Sequence, residues 1–314
     1  LTIDQGWVTL DKSGSISNTS LSNVVLTSVN STFYGHSGNR SGSFQLNTGS
    51  VTNNGGTFIG LNDGTGNITM KVVGNVSNIG NFKVIMNSGV AGAGNGNATF
   101  TVTGTFSQST GDTRFIYNVA STSSGIFNAS FGSLNLTGGI FMGQTACHAG
   151  TGVCSLSVTN NLTVNFANNT DKFRGTSLSS IGSNNNTTGF TMTVGGNLSF
   201  SGSASSEFTS SASYGTESIF INGDLQVSGG VFSMNYGTSA AAHSTNAQIN
   251  GNLIVLGGTT FLTRNAGYAN VNIGGNVMVS SGMLIVKAST GIVQMAVTGQ
   301  FNQSSGTVYL HGNS

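Results

Sequence analysis

Apolar and polar residues alternate in short runs along this chain, and the runs return on a fixed spacing. A cassette of the form Gly-Asn-hydrophobic-x-hydrophobic reads Gly74-Asn75-Val76, Gly196-Asn197-Leu198, Gly223-Asp224-Leu225, Gly251-Asn252-Leu253 and Gly275-Asn276-Val277. Looser copies begin at Ser22, Gly49, Gly104, Gly132, Asn160 and Gly299, which makes eleven in all, at intervals of 24 to 36 residues and about 28 on average. With the first cassette residue numbered zero, position +2 is apolar in all eleven copies, from Val24 and Val51 through Leu225 and Leu253 to Phe301. Position +1 is polar in all eleven, +4 is apolar in seven, and −2 is apolar in eight. Period-two alternation is the mark of a strand with one buried face, and no helical period competes with it.

Each repeat predicts three short strands. One ends at the cassette, as in Ala247-Gln248-Ile249, and the next follows it, as in Leu253-Ile254-Val255. A second glycine near +7 (Gly56, Gly111, Gly139, Gly230, Gly258, Gly282, Gly306) leads to a third, anchored by Phe58, Phe141, Phe232, Leu284 or Val308. Glycine at both corners suits a left-handed backbone. Three strands per repeat, stacked in register, predict an all-β fold: a single-stranded parallel β-helix, or β-solenoid, of about eleven coils and about 50 Å. It forms one continuous domain over 1–314, with 1–21 as an irregular first coil, and reads as a segment of something longer. A β-sandwich needs a longer, non-repeating unit, and a propeller blade needs about 40 residues. The +1 residues Asn161, Asn197, Asp224, Asn252 and Asn276 should form a turn ladder, with stacked amides bonding from coil to coil.

Composition narrows the functional classes. Of 314 residues, 48 are Gly, none is Pro and only 17 are charged, with a net charge of +1. Disordered chains combine high charge with low hydrophobicity, whereas 37% of this chain is hydrophobic and periodic. No basic run offers a footprint for nucleic acid, and no apolar stretch of about 20 residues offers a membrane span. The acidic residues, among them Asp112, Asp171, Glu207, Glu217 and Asp224, rarely share a repeat position in neighbouring coils. The paired carboxylates of a polysaccharide-cleaving site are therefore not expected, and neither is a cofactor or a metal. Cys147 and Cys154 flank a Gly-rich segment. A local disulfide, which would imply an oxidising, extracellular compartment, leads over a thiolate site with His148 and over two free thiols.

The longest interval, 160–196, carries Asp171, Lys172, Phe173 and Arg174, read as part of an inserted loop on one edge of the rod, with Tyr214 in another. These residues are the candidate contacts to a glycan or protein on a cell or host surface, because repeat proteins place recognition on such edges. The alternative is a set of tolerated loops without a role.

The segments INGNLIVLGGTTF, INGDLQVSGGVF and TVGGNLSFSGS resemble the Gly/Asn/Thr-rich repeats of large secreted bacterial surface proteins, namely right-handed β-helix passengers of autotransporters and filamentous adhesins. They are also similar to repeats of giant secreted cell-surface proteins of Bacteroidota. The resemblance spans nearly all of 15–314. It implies a secreted, extracellular rod, stalk or adhesive fibre at a bacterial cell surface. The alternatives it leaves are a polysaccharide-binding or polysaccharide-cleaving β-helix and a fibre subunit stacking on copies of itself end to end.

Overall fold

A computed structural model describes residues 1–11, 17–37, 43–62, 66–87, 96–118, 125–144, 153–176, 189–210, 215–236, 243–265 and 267–312. Its strands join by parallel pairing only, each to the equivalent strand one coil away. The chain is a parallel β-solenoid with three sheets running along its length. Leu225 pairs directly with Leu253, as stacked repeats require. On the second sheet one inward residue follows another through Ile3, Leu26, Asn53, Asn78, Gln108 and Leu136. The column continues through Val164, Phe200, Val227, Val255, Val279 and Gln303. The opening segment, expected to be irregular, is in register: Thr2–Ile3 pairs with Ser17–Leu26, and Gly6–Asp11 pairs with Ser31–Ser37.

The strands are less separate than three per repeat suggests. Ala98–Gln108 runs through the first corner with a register shift between Val102 and Thr105, and Leu253–Thr263 runs through the second. The two corners use glycine for different reasons. At the second, Gly111, Gly139, Gly230, Gly258, Gly282 and Gly306 all have φ between 66° and 84°, the left-handed conformation that glycine adopts most easily. The cassette glycines of the first corner do not. There a Cβ on Gly251 would sit 2.7 Å from the Gly223 carbonyl and clash with the Asp224 carboxylate. Space, not φ, selects glycine at that corner.

The interior is one continuous apolar cluster from Ile3 to Val286. Its third-sheet column is mostly phenylalanine: Phe33, Phe58 and Phe82, then Phe141, Phe173, Phe208 and Phe232. Rings one coil apart stack nearly parallel, Phe58 on Phe82 at 4.5 Å and Phe173 on Phe208 at 4.2 Å. Each such pair contributes about 0.5–1.5 kcal/mol beyond its buried area. Thr113 interrupts the column between Phe82 and Phe141, and Thr260 follows Phe232.

Candidate functional site

Three polar systems stand out from this apolar stack. The first is the expected turn ladder, whose bonding differs from amide stacked on amide. The side-chain oxygen of each of its five residues accepts the backbone N–H of the +1 residue in the next coil. Asn161 accepts from Asn197 at 2.9 Å, Asn197 from Asp224 at 2.8 Å, Asp224 from Asn252 at 2.7 Å, and Asn252 from Asn276 at 2.8 Å. Asn75 makes the same bond to Thr105 and Asn276 to Gln300. Only one bond among these five joins side chain to side chain, from Asn252 Nδ2 to Asp224 Oδ1 at 3.0 Å. The ladder thus supplies main-chain donors with acceptors at a corner, where sheet pairing would leave them open. It is a structural device.

The second lies inside the rod. Asn53 Nδ2 donates to Asn78 Oδ1 at 2.8 Å, and Asn78 Nδ2 to Gln108 Oε1 at 3.4 Å and Thr113 Oγ1 at 3.1 Å. Two coils of the first sheet hold a related cluster. Its core column runs Cys154, Phe190, Glu217, Thr245, Ala269, so that a carboxylate stands where its neighbours place a ring or a thiol. Glu217 Oε2 accepts from Thr245 Oγ1 at 2.9 Å, and Thr245 Oγ1 accepts from Asn235 Nδ2 at 3.0 Å. His243 Nε2 lies 3.5 Å from the carboxylate. Burial pushes the Glu217 carboxyl above its usual range, opposed by His243 and Thr245.

The third system faces outward on the third sheet. Lys83, Arg114, Met142, Arg174 and Thr209 occupy successive coils of one column, and Asn81, Asp112, Ile140, Lys172 and Glu207 occupy its neighbour. Each lies one residue from an inward position such as Phe82, Thr113 or Phe173, so alternation turns it away from the core, although Lys83, Met142 and Thr209 are themselves covered and buried. Asp112 holds Lys83 Nζ at 2.5 Å and Arg114 Nε at 2.8 Å. Burial lowers the Lys83 pKa to about 8 despite the attraction of Asp112. Glu207 meets Arg174 Nη2 at 3.0 Å, Arg264 Nη1 at 3.3 Å and Lys172 Nζ at 3.9 Å. Burial alone would raise the Glu207 carboxyl, but its cations outweigh that and hold it below the ordinary value. Arg264 packs over Tyr236 at 4.9 Å and Phe261 at 5.5 Å from the ring centres.

The candidate contact residues divide accordingly. Lys172–Thr176 is a strand of the third sheet and not part of an inserted loop. Phe173 is fully buried in the phenylalanine column and has no surface to offer a ligand. Asp171 is also buried. Its carboxylate accepts the N–H groups of Gly139 at 2.9 Å and Asn168 at 2.8 Å, closing a wide second corner that lacks the usual glycine. Lys172 and Arg174 do face outward, where they join Glu207 and Arg264, two residues that no spacing in the sequence connects to them. Tyr214 lies outside the described residues. So does Cys147, and with it the expected Cys147–Cys154 bond; Cys154 itself is buried in the core beside Phe190.

Among the described residues, no group of three or more His, Cys, Asp or Glu side chains is placed to hold a metal, and no helix is long and apolar enough to cross a membrane. Comparison of the chain with protein-family models, with curated proteins and with solved structures found no match.

Proposed function

We propose that this chain is an extracellular structural and adhesive rod, a stretch of a bacterial surface adhesin, stalk or fibre. The observation that carries the reading is the coil-on-coil stacking, whose register shifts only at corners. Every strand among the described residues pairs with its equivalents one coil away, and one apolar cluster runs through the whole. Such a body has nearest-neighbour contacts only, and its geometry serves length and stiffness. Tension along the axis loads the coil-to-coil hydrogen bonds in series, so the rod yields coil by coil.

Four of the chain's eight carboxylates support a non-catalytic role. Asp112 and Glu207 are each neutralised by cations, Asp171 is engaged with two backbone amides, and Glu217 is enclosed. A general acid or base needs a carboxyl within reach of substrate and free to exchange its proton. Weak contacts repeated along a rod can hold a surface firmly through avidity.

Antibody labelling of intact cells of the producing organism tests the reading. Staining without permeabilisation, removed by external protease, is the expected result. Staining only after permeabilisation would refute it.

A further inference from the structure

We propose that Lys172, Arg174, Glu207 and Arg264 form a binding site for the acidic groups, carboxylate or sulfate, of a surface polysaccharide. The inference rests on the adhesive reading and gives it a ligand class.

Charge placement is the first argument. Nine residues of the chain are Lys or Arg, and seven of these (Lys71, Lys83, Arg114, Lys172, Arg174, Arg264, Lys287) lie in the described residues. All except Lys71 lie in, or directly after, a strand of the third sheet. Three cations surround the single carboxylate of Glu207, leaving a local excess of two positive charges in a chain whose net charge is +1. The site is also partly exposed. Side-chain exposures are 36% for Lys172, 23% for Arg174, 27% for Arg264 and 20% for Glu207. In the related group Lys83 is 7% exposed, Arg114 14% and Asp112 24%, so its cations are the more covered.

The chemistry of the donors is the second argument. Arg174 binds Glu207 through Nη2, while its buried Nε–H has no hydrogen-bond partner. Buried donors are ordinarily satisfied, and an acceptor outside the rod reaches this one when the Arg174 side chain turns outward. A guanidinium presents a planar fork that matches carboxylate or sulfate oxygens. The half-buried rings of Tyr236 and Phe261 hold the Arg264 guanidinium by its face.

A polysaccharide fits better than nucleic acid. Continuous phosphates would meet Glu207 and, in the same strip, Asp112, with like-charge repulsion at both. Sugar hydroxyls turn those carboxylates into acceptors, while the acidic substituents take the arginines.

Electrophoresis of the purified chain through gels containing polygalacturonate, dextran sulfate or neutral dextran, and its retardation of duplex DNA, tests the site. We expect retardation by one or both acidic polymers, showing which acid group is preferred, and none by dextran. Joint Arg174→Gln and Arg264→Gln should weaken binding about tenfold or more in a variant that stays folded under the assay conditions, while Lys71→Gln leaves it intact. Should the double variant not fold, Arg174→Lys decides, because it keeps the charge and loses the fork; a severalfold loss is expected and an unchanged affinity overturns the site. Indifference to both acidic polymers, equal loss in Lys71→Gln, or tighter binding of DNA would each overturn it. None of these results alters the outcome of surface labelling, so the two proposals fail separately.

Discussion

The carboxamide oxygen of Asn197 accepts the backbone N–H of Asp224 at 2.8 Å, and the same oxygen occupies the space that a Cβ on Gly223 would need. One residue's side chain thus dictates the absence of another's in the coil above. The rule holds along the chain: Gly104, Gly196, Gly251, Gly275 and Gly299 stand above Asn75, Asn161, Asp224, Asn252 and Asn276. Asn160, which does carry a side chain at this position, follows a coil with Ser133 at +1.

Gly223→Ala should therefore destabilise the rod by about 1–3 kcal/mol, because the crowding atoms include the Gly196 carbonyl carbon and oxygen, both 2.9 Å from where the new Cβ would sit. Asn197→Ala should cost about 1 kcal/mol by leaving the Asp224 N–H without its acceptor. Denaturation midpoints of the two single variants and the double variant check this. The double should cost less than the sum, since Asn197→Ala clears part of the space.

Phe173→Ala should lower stability by about 3–5 kcal/mol, because it opens a gap between Phe141 and Phe208, whose rings lie 5.5 Å and 4.2 Å from that of Phe173. Phe173→Leu should be milder. Calorimetric melting of both checks the order, and equal melting of Phe173→Ala and the parent would contradict the buried placement.

The interior amides predict a non-additive series. Asn78→Leu alone strands its partners Asn53 and Gln108 and should cost about 1–3 kcal/mol. Changing Asn53, Asn78 and Gln108 together to leucine, the residue that Leu26 and Leu136 supply in flanking coils, relieves the amide-to-amide mismatch but should cost more than the single change, because it strands the Thr113 hydroxyl and the carbonyls of Gly56, Gly80 and Gly138 that these amides serve. Urea titration of the single and triple variants measures the difference.

Glu217 predicts a pH dependence. Its folded pKa lies above the unfolded value near 4.5. Below that value both states hold the proton and the group does not oppose folding. As pH rises through 4.5 and then through the folded pKa, the unfolded chain ionises first and stability falls. Glu217→Gln should flatten this decline, which urea midpoints at acidic, neutral and mildly alkaline pH would reveal.

Lys83 has the opposite sign. Its folded pKa, about 8, lies below the unfolded 10.5, so the unfolded chain binds more protons between those values and stability should rise with pH across that window. Lys83→Met should remove the rise, which stability measurements from about pH 8 to about pH 10 would show.

The stacked strands were legible because the cassette keeps +2 apolar and +1 polar without exception, a period that neither a sandwich nor a propeller blade repeats. The third strand of the coil beginning at Asn160 was not. Its corner has no glycine, and Phe173 falls at +13 (with Phe208 at +12 in the next coil) where Phe58, Phe141 and Phe232 fall at +9, so an excess of residues hid the strand boundary. The signal was Asp171, an acceptor placed to close a corner without glycine. Misplacing that strand concealed the pairing of Lys172 with Glu207, and with it the cluster that reaches Arg264 two coils on. Sequence spacing also could not show that the +1 oxygens bond main-chain amides, since that depends on the rise between coils.

Near-identical rungs carry a hazard, because a chain that slips by one whole repeat buries almost the same atoms. The interruption at Thr113 answers it. Its hydroxyl donates to Gln108 Oε1 at 2.5 Å and accepts from Asn78 Nδ2, a match that a displaced rung, offering phenylalanine against leucine, does not provide. These few enclosed polar atoms act as index marks on an otherwise uniform scale, making the properly threaded winding distinguishable from its neighbours during assembly.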